Sequence, residues 1–305
     1  VKLVEQAGFP PGVVNVVTGL GADVGEPLVT HPLVAKVAFT GGEQAGQRVY
    51  ELAARGLKRV TLELGGKSPN IVFDDANLEN AMKGVISGIF AATGQTCIAG
   101  SRLLVQRSIH DQLVDKLVNF AKTARIGDPS DLNTQVGPVT TRPQYEKVLR
   151  YIEEAKREGA TCLLGGGPSR RPECGDGWFV EPTIFASVTP EMKVAREEVF
   201  GPVLAVLPFD DEEDAIRIAN SLPYGLAAGV WTENISRALA MAKRLEAGTV
   251  WVNTYRAVSY MAPFGGYKRS GLGRENGMDT IKEYLQTKSV WIDMGNEVPN
   301  PFVMR

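Results

Sequence analysis

Cys97 stands in the segment 93–102, TGQTCIAGSR, between a glycine that closes a helical stretch and an apolar run that reads as a strand. A thiol flanked by Gly94 and Gly100 suits a nucleophile whose product is an oxyanion, because neighbouring backbone N–H groups can point at that product. The same residue also reads as a small buried hydrophobe. Glu63 closes the alternating run KRVTLEL and is followed by GGK at 65–67. It is either the solvated face of a strand or a carboxylate beside a ligand that two glycines let approach. Gly41 and Gly46 lie in a strand–glycine–helix turn that either holds phosphate at a helix N-terminus or needs glycine for chain geometry alone. Their spacing, GxxxxG, is neither GxGxxG nor a P-loop with its lysine.

These residues need elements to hold them. KVAFT, 36–40, is expected as a strand, and EQAGQRVYELAAR as the helix after the turn. VVNVV after Pro11 reads as a strand buried on both faces. Asp75 is expected to cap a helix carrying Leu78, Ala81, Met82, Val85, Ile86 and Ile89, which ends near Gly94 and so delivers Cys97. RLLVQ is the next strand, followed by a helix turning Ile109, Leu113, Leu117, Phe120 and Ala124 inward. The segment 127–139 is rich in turn formers. The second half alternates again: a helix over 143–157, a strand over 160–164, strands in WFVEPTIF and VLAVLPF, the helix DEEDAIRIAN, then GLAAGVW, a helix over 235–245 and TVWVN. Repeated βα alternation predicts an α/β fold with mostly parallel sheets. The segment 263–276, PFGGYKRSGLGREN, is too glycine-rich for a regular element and has the composition of a flexible surface loop. The segment 284–293 is strand-like, with an edge that could pair with another subunit.

The formal charge of −2 leaves no basic footprint for nucleic acid or an anionic membrane. Three cysteines without a CxxC fit a reduced, cytoplasmic setting. The two histidines lack partners at metal-ligand spacing, so no metal site is expected. No apolar run is long enough to span a bilayer. The opening VKLVEQAGF reads as the middle of a helix, which suggests a piece of a longer protein.

KVAFTGGEQAG, VTLELGGKSPNIVFDDA, GQTCIAGSRLLVQ, EEVFGPV, YGLAAGVWT, GTVWVN and PFGGYKRSGLGRENG follow one another in an order that resembles the NAD(P)-dependent aldehyde dehydrogenase superfamily. The resemblance covers essentially the whole chain and implies an aldehyde dehydrogenase-like α/β fold. Residues 1–65 would be the remainder of a Rossmann-type cofactor domain, 66–269 the catalytic domain and 270–305 a return segment with an oligomerisation strand. It implies Cys97 as nucleophile and Glu63 as general base. Gly41, Gly42, Gly46, Leu64, Glu198 and Phe200 would hold NAD or NADP, and Thr96, Ile98, Asn253, Tyr255 and Phe264 would shape the substrate tunnel. The implied partners are a small-molecule aldehyde and further copies of the chain, as a homodimer or homotetramer of the full-length protein, with neither nucleic acid nor membrane.

The implied chemistry is oxidation of an aldehyde to a carboxylic acid through a thiohemiacetal and a thioester. Gly42 stands where many members carry serine. The family's side-chain oxyanion donor and cofactor-ribose lysine would precede Val1, so the isolated chain is expected to be impaired. Two other readings compete: resolution of the thioester by coenzyme A, which a hydrolytic base at Glu63 disfavours, and a noncatalytic homologue that binds cofactor or partner subunits. Aromatic residues between 255 and 260, with Arg256, would favour an aromatic or carboxylated aldehyde unless Arg256 faces solvent.

Overall fold

Runs such as Leu-Leu-Val and Val-Leu-Ala-Val-Leu carry apolar side chains on both faces, and such strands belong inside a sheet that helices cover on each side. The computed structural model, which describes residues 1–295, 300 and 302, has this arrangement. In chain order the strands are β1 (Lys36–Thr40), β2 (Arg59–Glu63), β3 (Pro69–Val72), β4 (Arg102–Gln106), β5 (Thr161–Leu164), β6 (Thr183–Ala186), β7 (Val203–Phe209), β8 (Tyr224–Gly225), β9 (Ala227–Trp231), β10 (Thr249–Val252), β11 (Tyr267–Lys268) and β12 (Gly271–Leu272). The large sheet has the order β10-β9-β3-β4-β7-β6-β5. All its pairs are parallel except β5 with β6.

One face of this sheet packs against Val148, Ile152 and Ala155 of the helix Arg142–Arg157, Ala215 and Ile216 of Glu212–Asn220, and Met241 of Ile235–Arg244. The other packs against Ala81, Val85 and Ile89 of Leu78–Phe90, and Leu113 and Leu117 of His110–Ala121. A smaller sheet has the order β1-β2-β12, with β1 and β2 parallel and β12 antiparallel. The helix Glu43–Ala54 covers it through Leu52 and Ala53. An α/β fold with mostly parallel strands is therefore what the sequence pattern predicted.

Several local expectations need correction. VVNVV forms no strand: Val13, Val14, Val16 and Val17 are 46–65% exposed. No described strand lies beside them to complete their backbone hydrogen bonds, and pairing rather than composition makes a strand. Asp75 is not the cap of its helix. Asn77 caps it, accepting from the Asn80 N–H, while Asp75 accepts from the Thr232 hydroxyl, the Asn234 N–H and Arg237. Phe120 is exposed, on the outer side of its helix. The segment 263–276 is no free surface loop. It supplies β11 and β12, pairs Phe264 with Glu275, and buries Ser270. Residues 285–295 form no strand, since no described strand stands next to them. The rest of the expected return segment, residues 296–299, 301 and 303–305, lies outside the described residues.

Arg102 ties the two halves of the large sheet together. It is 3% exposed and donates from its guanidinium to the carbonyls of Lys67, Ile218 and Ala219, each at 2.9 Å. The last two close the helix Glu212–Asn220, where a cation also complements the helix dipole. Arg102→Leu would strand three buried carbonyls. It is expected to destabilise the chain by about 3 kcal/mol or more, measured by urea unfolding.

Candidate active site

The C-terminal ends of parallel strands are where open α/β sheets bind ligands. β2 ends in Glu63, whose neighbours are Thr40 on β1 and Gly271 on β12. The chain leaving β1 turns back here, with the Gly41 N–H donating to the Glu63 carbonyl at 3.0 Å. Gly42 then opens the helix Glu43–Ala54, and no side chain caps that N-terminus. Gly46 is buried in the first turn, its N–H donating to the Gly42 carbonyl. Glu43 is held aside by Arg269 and by the Tyr224 hydroxyl.

Glu63 is 4% exposed, and neither carboxylate oxygen has a hydrogen-bond partner among the described residues. The bland reading of a solvated strand residue is thereby overturned. Burial pushes its carboxyl up to about 8; the nearby Glu275 adds to this and Arg274 opposes it.

Cys97 is reached through a turn after the helix Leu78–Phe90. Ala92, Thr93 and Gly94 are all left-handed there, at φ 50°, 56° and 68°. A Cβ at position 94 would lie 2.1 Å from the Gly201 carbonyl oxygen, so glycine is required by contact as well as by conformation. The thiol is half-buried and raised above the ordinary range, first by burial and then by Glu198 and Glu63, with the Ile98 N–H acting the other way. Beside it the Thr96 hydroxyl is buried without a partner among the described residues.

Glu198 follows the short helix Lys193–Arg196 and accepts from the Gly66 N–H at 3.0 Å. A Cβ on Gly65 would stand 2.5 Å from its other oxygen, so glycine there is what lets the carboxylate approach. Burial raises the Glu198 carboxyl, opposed by that N–H and by Lys147 and Lys67. Lys67 is itself buried without a partner among the described residues, and burial, with Arg102 nearby, lowers its ammonium to about 7.

One cavity of about 620 Å³ brings together Glu63, Leu64, Gly41, Gly42, Thr96, Cys97, Ile98, Glu198 and Phe200. Four of the residues singled out in the sequence do not line it. Gly46 instead lies against the Leu64 side chain, which a Cβ there would meet at 2.4 Å. Tyr255 is buried against Trp251, at 4.7 Å between ring centroids, and its hydroxyl donates to the Ile98 carbonyl from behind the cysteine loop. Asn253 exchanges hydrogen bonds with the Thr232 backbone, and Phe264 packs half-buried against the cluster that includes Cys97. Arg256 reaches the Ser87 carbonyl.

Gly65, one of the two glycines expected to let a ligand approach, also lines the cavity, as do Thr40, Gln95, Gln144 and Lys147, which escaped the sequence reading. Gln144 and Lys147 stand one turn apart at the start of the helix Arg142–Arg157, which Thr141 caps. Three-residue spacing after a threonine cap was the available signal for them. No group of three metal-ligating side chains occurs among the described residues, and none of their helices is long and apolar enough to cross a membrane.

A thiol, a buried carboxylate and a glycine turn line one cavity at the C-terminal ends of the parallel strands β1 and β2. The sequence pattern of the Aldehyde dehydrogenase family matches residues 1–290, and the chain belongs to that family. It is 48% identical over 298 residues to a betaine aldehyde dehydrogenase of Brucella anthropi, covering 98% of this chain and 61% of the relative. Among solved structures, a betaine aldehyde dehydrogenase from Staphylococcus aureus in complex with NAD+ is 40% identical with a TM-score of 0.96, covering 99% of this chain and 60% of that one. The NAD+ complex of an aldehyde dehydrogenase from Bacillus cereus is 47% identical with a TM-score of 0.93, covering 96% and 59%. The chain spans 58–61% of the length of the curated relatives it matches.

Proposed function

We propose that the protein carrying this chain oxidises an aldehyde to a carboxylic acid with NAD or NADP, using Cys97 as nucleophile and Glu63 as general base. The observation that carries this reading is that Cys97, Glu63, Glu198 and the Gly41–Gly42 turn line one cavity. NAD+ complexes of structurally similar proteins support the cofactor. The residues present fit such a group: an uncapped helix N-terminus opens beside the cavity, as a diphosphate requires. Glu198 stands where it could accept from ribose hydroxyls, with Phe200 alongside and Gln144 and Lys147 on the same wall.

The Cys97 thiol gives its proton to water in the cavity as its sulfur bonds to the aldehyde carbon, and the carbonyl electron pair moves onto the oxygen to give an oxyanion. The backbone N–H of Cys97 would donate to that oxygen. When bound, the cofactor accepts a hydride, which leaves a thioester on Cys97. Glu63 then takes a proton from water, and the hydroxide so formed releases the acid and the thiol. In this reading residues 1–65 belong to the cofactor domain, 66–269 to the catalytic domain and 270–305 to the segment joining subunits of a cytoplasmic homodimer or homotetramer. The isolated chain would turn over poorly, because the side-chain oxyanion donor that the family resemblance implies is not among its residues.

Mixing the intact protein with aldehyde and NAD is expected to give NADH and free acid, with no dependence on coenzyme A. Glu198→Gln is expected to raise the KM for NAD by roughly tenfold, for loss of charged hydrogen bonds to the ribose. An acyl-coenzyme A product, or no reduction of NAD or NADP by any aldehyde, would overturn the proposal.

A further inference from the structure

Gln95 occupies the position between the left-handed turn and the cysteine segment, and its side chain reaches away from Cys97. Its Nε2 donates to the Pro138 carbonyl at 3.3 Å. Its Oε1 accepts from both the Thr140 N–H at 2.9 Å and the Thr140 hydroxyl at 3.0 Å. Two residues earlier in the turn, the Thr93 hydroxyl donates to the Gly137 carbonyl at 3.1 Å. Two neighbouring side chains of the turn thus fasten it to one short stretch, 137–140, and three of the amide's polar contacts are satisfied there.

That stretch runs straight into Thr141, the cap of the helix Arg142–Arg157. From this helix Gln144 donates to the carbonyls of Val199 at 2.9 Å and Phe200 at 3.0 Å, the residues that follow Glu198. Phe200 is left-handed as well, at φ 57°, and the next residue, Gly201, is in backbone contact with Gly94. The circuit closes on itself. It runs from the cysteine turn through Gln95 to Thr140, along the helix to Gln144, and back through Val199–Gly201 to Gly94.

Left-handed backbone at Ala92 and Thr93 is unfavourable for residues with a Cβ and persists only where surroundings over-determine it. Glycine would remove that cost at either position, yet only Gly94 is one. Within the turn the Gln95 N–H donates to the Ala92 carbonyl at 3.0 Å, and the side chains of Thr93 and Gln95 add the bonds that tie it to its surroundings. We propose that Gln95 is a positioning residue for Cys97, which it serves by locking the strained cysteine turn to the 137–140 stretch and hence to the wall that carries Glu198 and Phe200.

Gln95 lines the cavity alongside the thiol. On its other side Gln95, Ala92 and Thr93 border a second, open hollow of about 810 Å³, with Pro138, Val139 and Trp178. Without the lock the turn is free to relax into that space. The groups acting electrostatically on the thiol are Glu63 from β2 and Glu198, with Ile98 N–H from the cysteine loop itself. Lys147 and Lys67 act on Glu198 in turn. A shift of the turn changes the distance of Cys97 from all of these.

The inference rests on the placement of Cys97 proposed above, but its test reads the thiol alone and requires no turnover. The intact protein is alkylated with iodoacetamide between pH 6 and 10, and modification of Cys97, Cys162 and Cys174 is followed separately by mass spectrometry. In Gln95→Ala the Cys97 rate–pH profile is expected to move to lower pH by roughly half a unit or more, because a relaxed turn returns the thiol toward water and toward an ordinary thiol pKa. The profiles of Cys162 and of buried Cys174 should stay in place, which reports that the chain remains folded. Thr140→Val deletes only the hydroxyl donor and should shift Cys97 in the same direction by less, whatever the stability of the alanine variant. Cys97 profiles in both variants that superimpose on the parent would overturn the inference, as would a shift of all three thiols together. A slow Cys97 in the parent protein would count against the proposed nucleophile and leave this comparison intact, since it reads a change in profile.

Discussion

Cys97→Ser is expected to remove the one thiol that lines the cavity and to lower aldehyde-dependent NADH formation by the intact protein by a factor of about 10⁴ or more, since no other side chain there could form the thioester. The other cysteines cannot take over. Cys162 donates its thiol to the Leu164 carbonyl within the β5 region, and Cys174 donates to the Ser169 hydroxyl inside a small apolar cluster. Neither borders the cavity that Cys97 shares with Glu63. Serine keeps the shape of the loop but replaces a polarisable sulfur with a hydroxyl that is far from ionised at neutral pH, so the variant separates chemistry from folding. Near-parental turnover by Cys97→Ser, measured as NADH absorbance under saturating aldehyde, would remove Cys97 from the mechanism.

Burial, Glu198 and Glu63 all raise the Cys97 thiol, so in the resting protein it is protonated at neutral pH. Its alkylation should therefore climb with pH beyond the range of a free cysteine. A step that brings positive charge to the cavity, or protonates Glu63, would move the profile back down.

Glu63→Gln carries the second large effect, and it has two parts of opposite sign. In catalysis, hydrolysis of the thioester should slow by roughly 10²–10⁴. The rising limb of activity with a midpoint near the Glu63 carboxyl's value of about 8 should vanish with it. Aldehyde and NAD should still give one rapid equivalent of NADH per site while the acyl group stays on Cys97, visible as added mass. In stability the sign reverses. The carboxyl is raised in the folded chain, so the folded state binds a proton that the unfolded state has already released between about pH 4.5 and 8. Glu63 therefore costs stability progressively as pH rises through that window and most above it. Glutamine removes the cost, and the variant should melt higher than the parent at pH 9 by roughly 3 °C or more while differing little at pH 4. Equal melting temperatures at pH 9 would mean that Glu63 is ionised and solvated, and would withdraw it as a tuned base.

Much of the scaffold was legible because its signals are local. VLAVLPF, KVAFT and RLLVQ are strands at the residues their composition suggested, and DEEDAIRIAN forms the expected helix, with Asp211 as its cap. What escaped depends on partners. β3 was not recognised because Pro69 and a length of four residues carry too little pattern, although it is central, with β4 on one side and β9 on the other. VVNVV has the composition of a strand and no strand to pair with. Asp75 sits where a cap would, but Arg237 from far along the chain claims it. In the site, Cys97 and Glu63 were visible from their glycine neighbours and from the family resemblance. The unpartnered state of the Glu63 carboxylate was not, because it is set by elements on both sides of the strand. Gln144 and Lys147 were hidden for a simpler reason: a polar pair in the first two turns of an amphipathic helix looks like any solvated face.

The small sheet around Glu63 is completed by a strand from the far end of the chain, and the order of synthesis gives that feature a consequence. Arg269, just before β12, is 226 residues from Glu43, which it grips beside the glycine turn. At ribosomal speed those residues take roughly 10–45 s to appear. From the time β2 is made until β12 follows, β2 lacks its antiparallel neighbour beside Glu63. The nascent polypeptide can carry a nearly finished large sheet before β12, Arg274 and Glu275, which flank the Glu63 carboxylate or act on it, have been made.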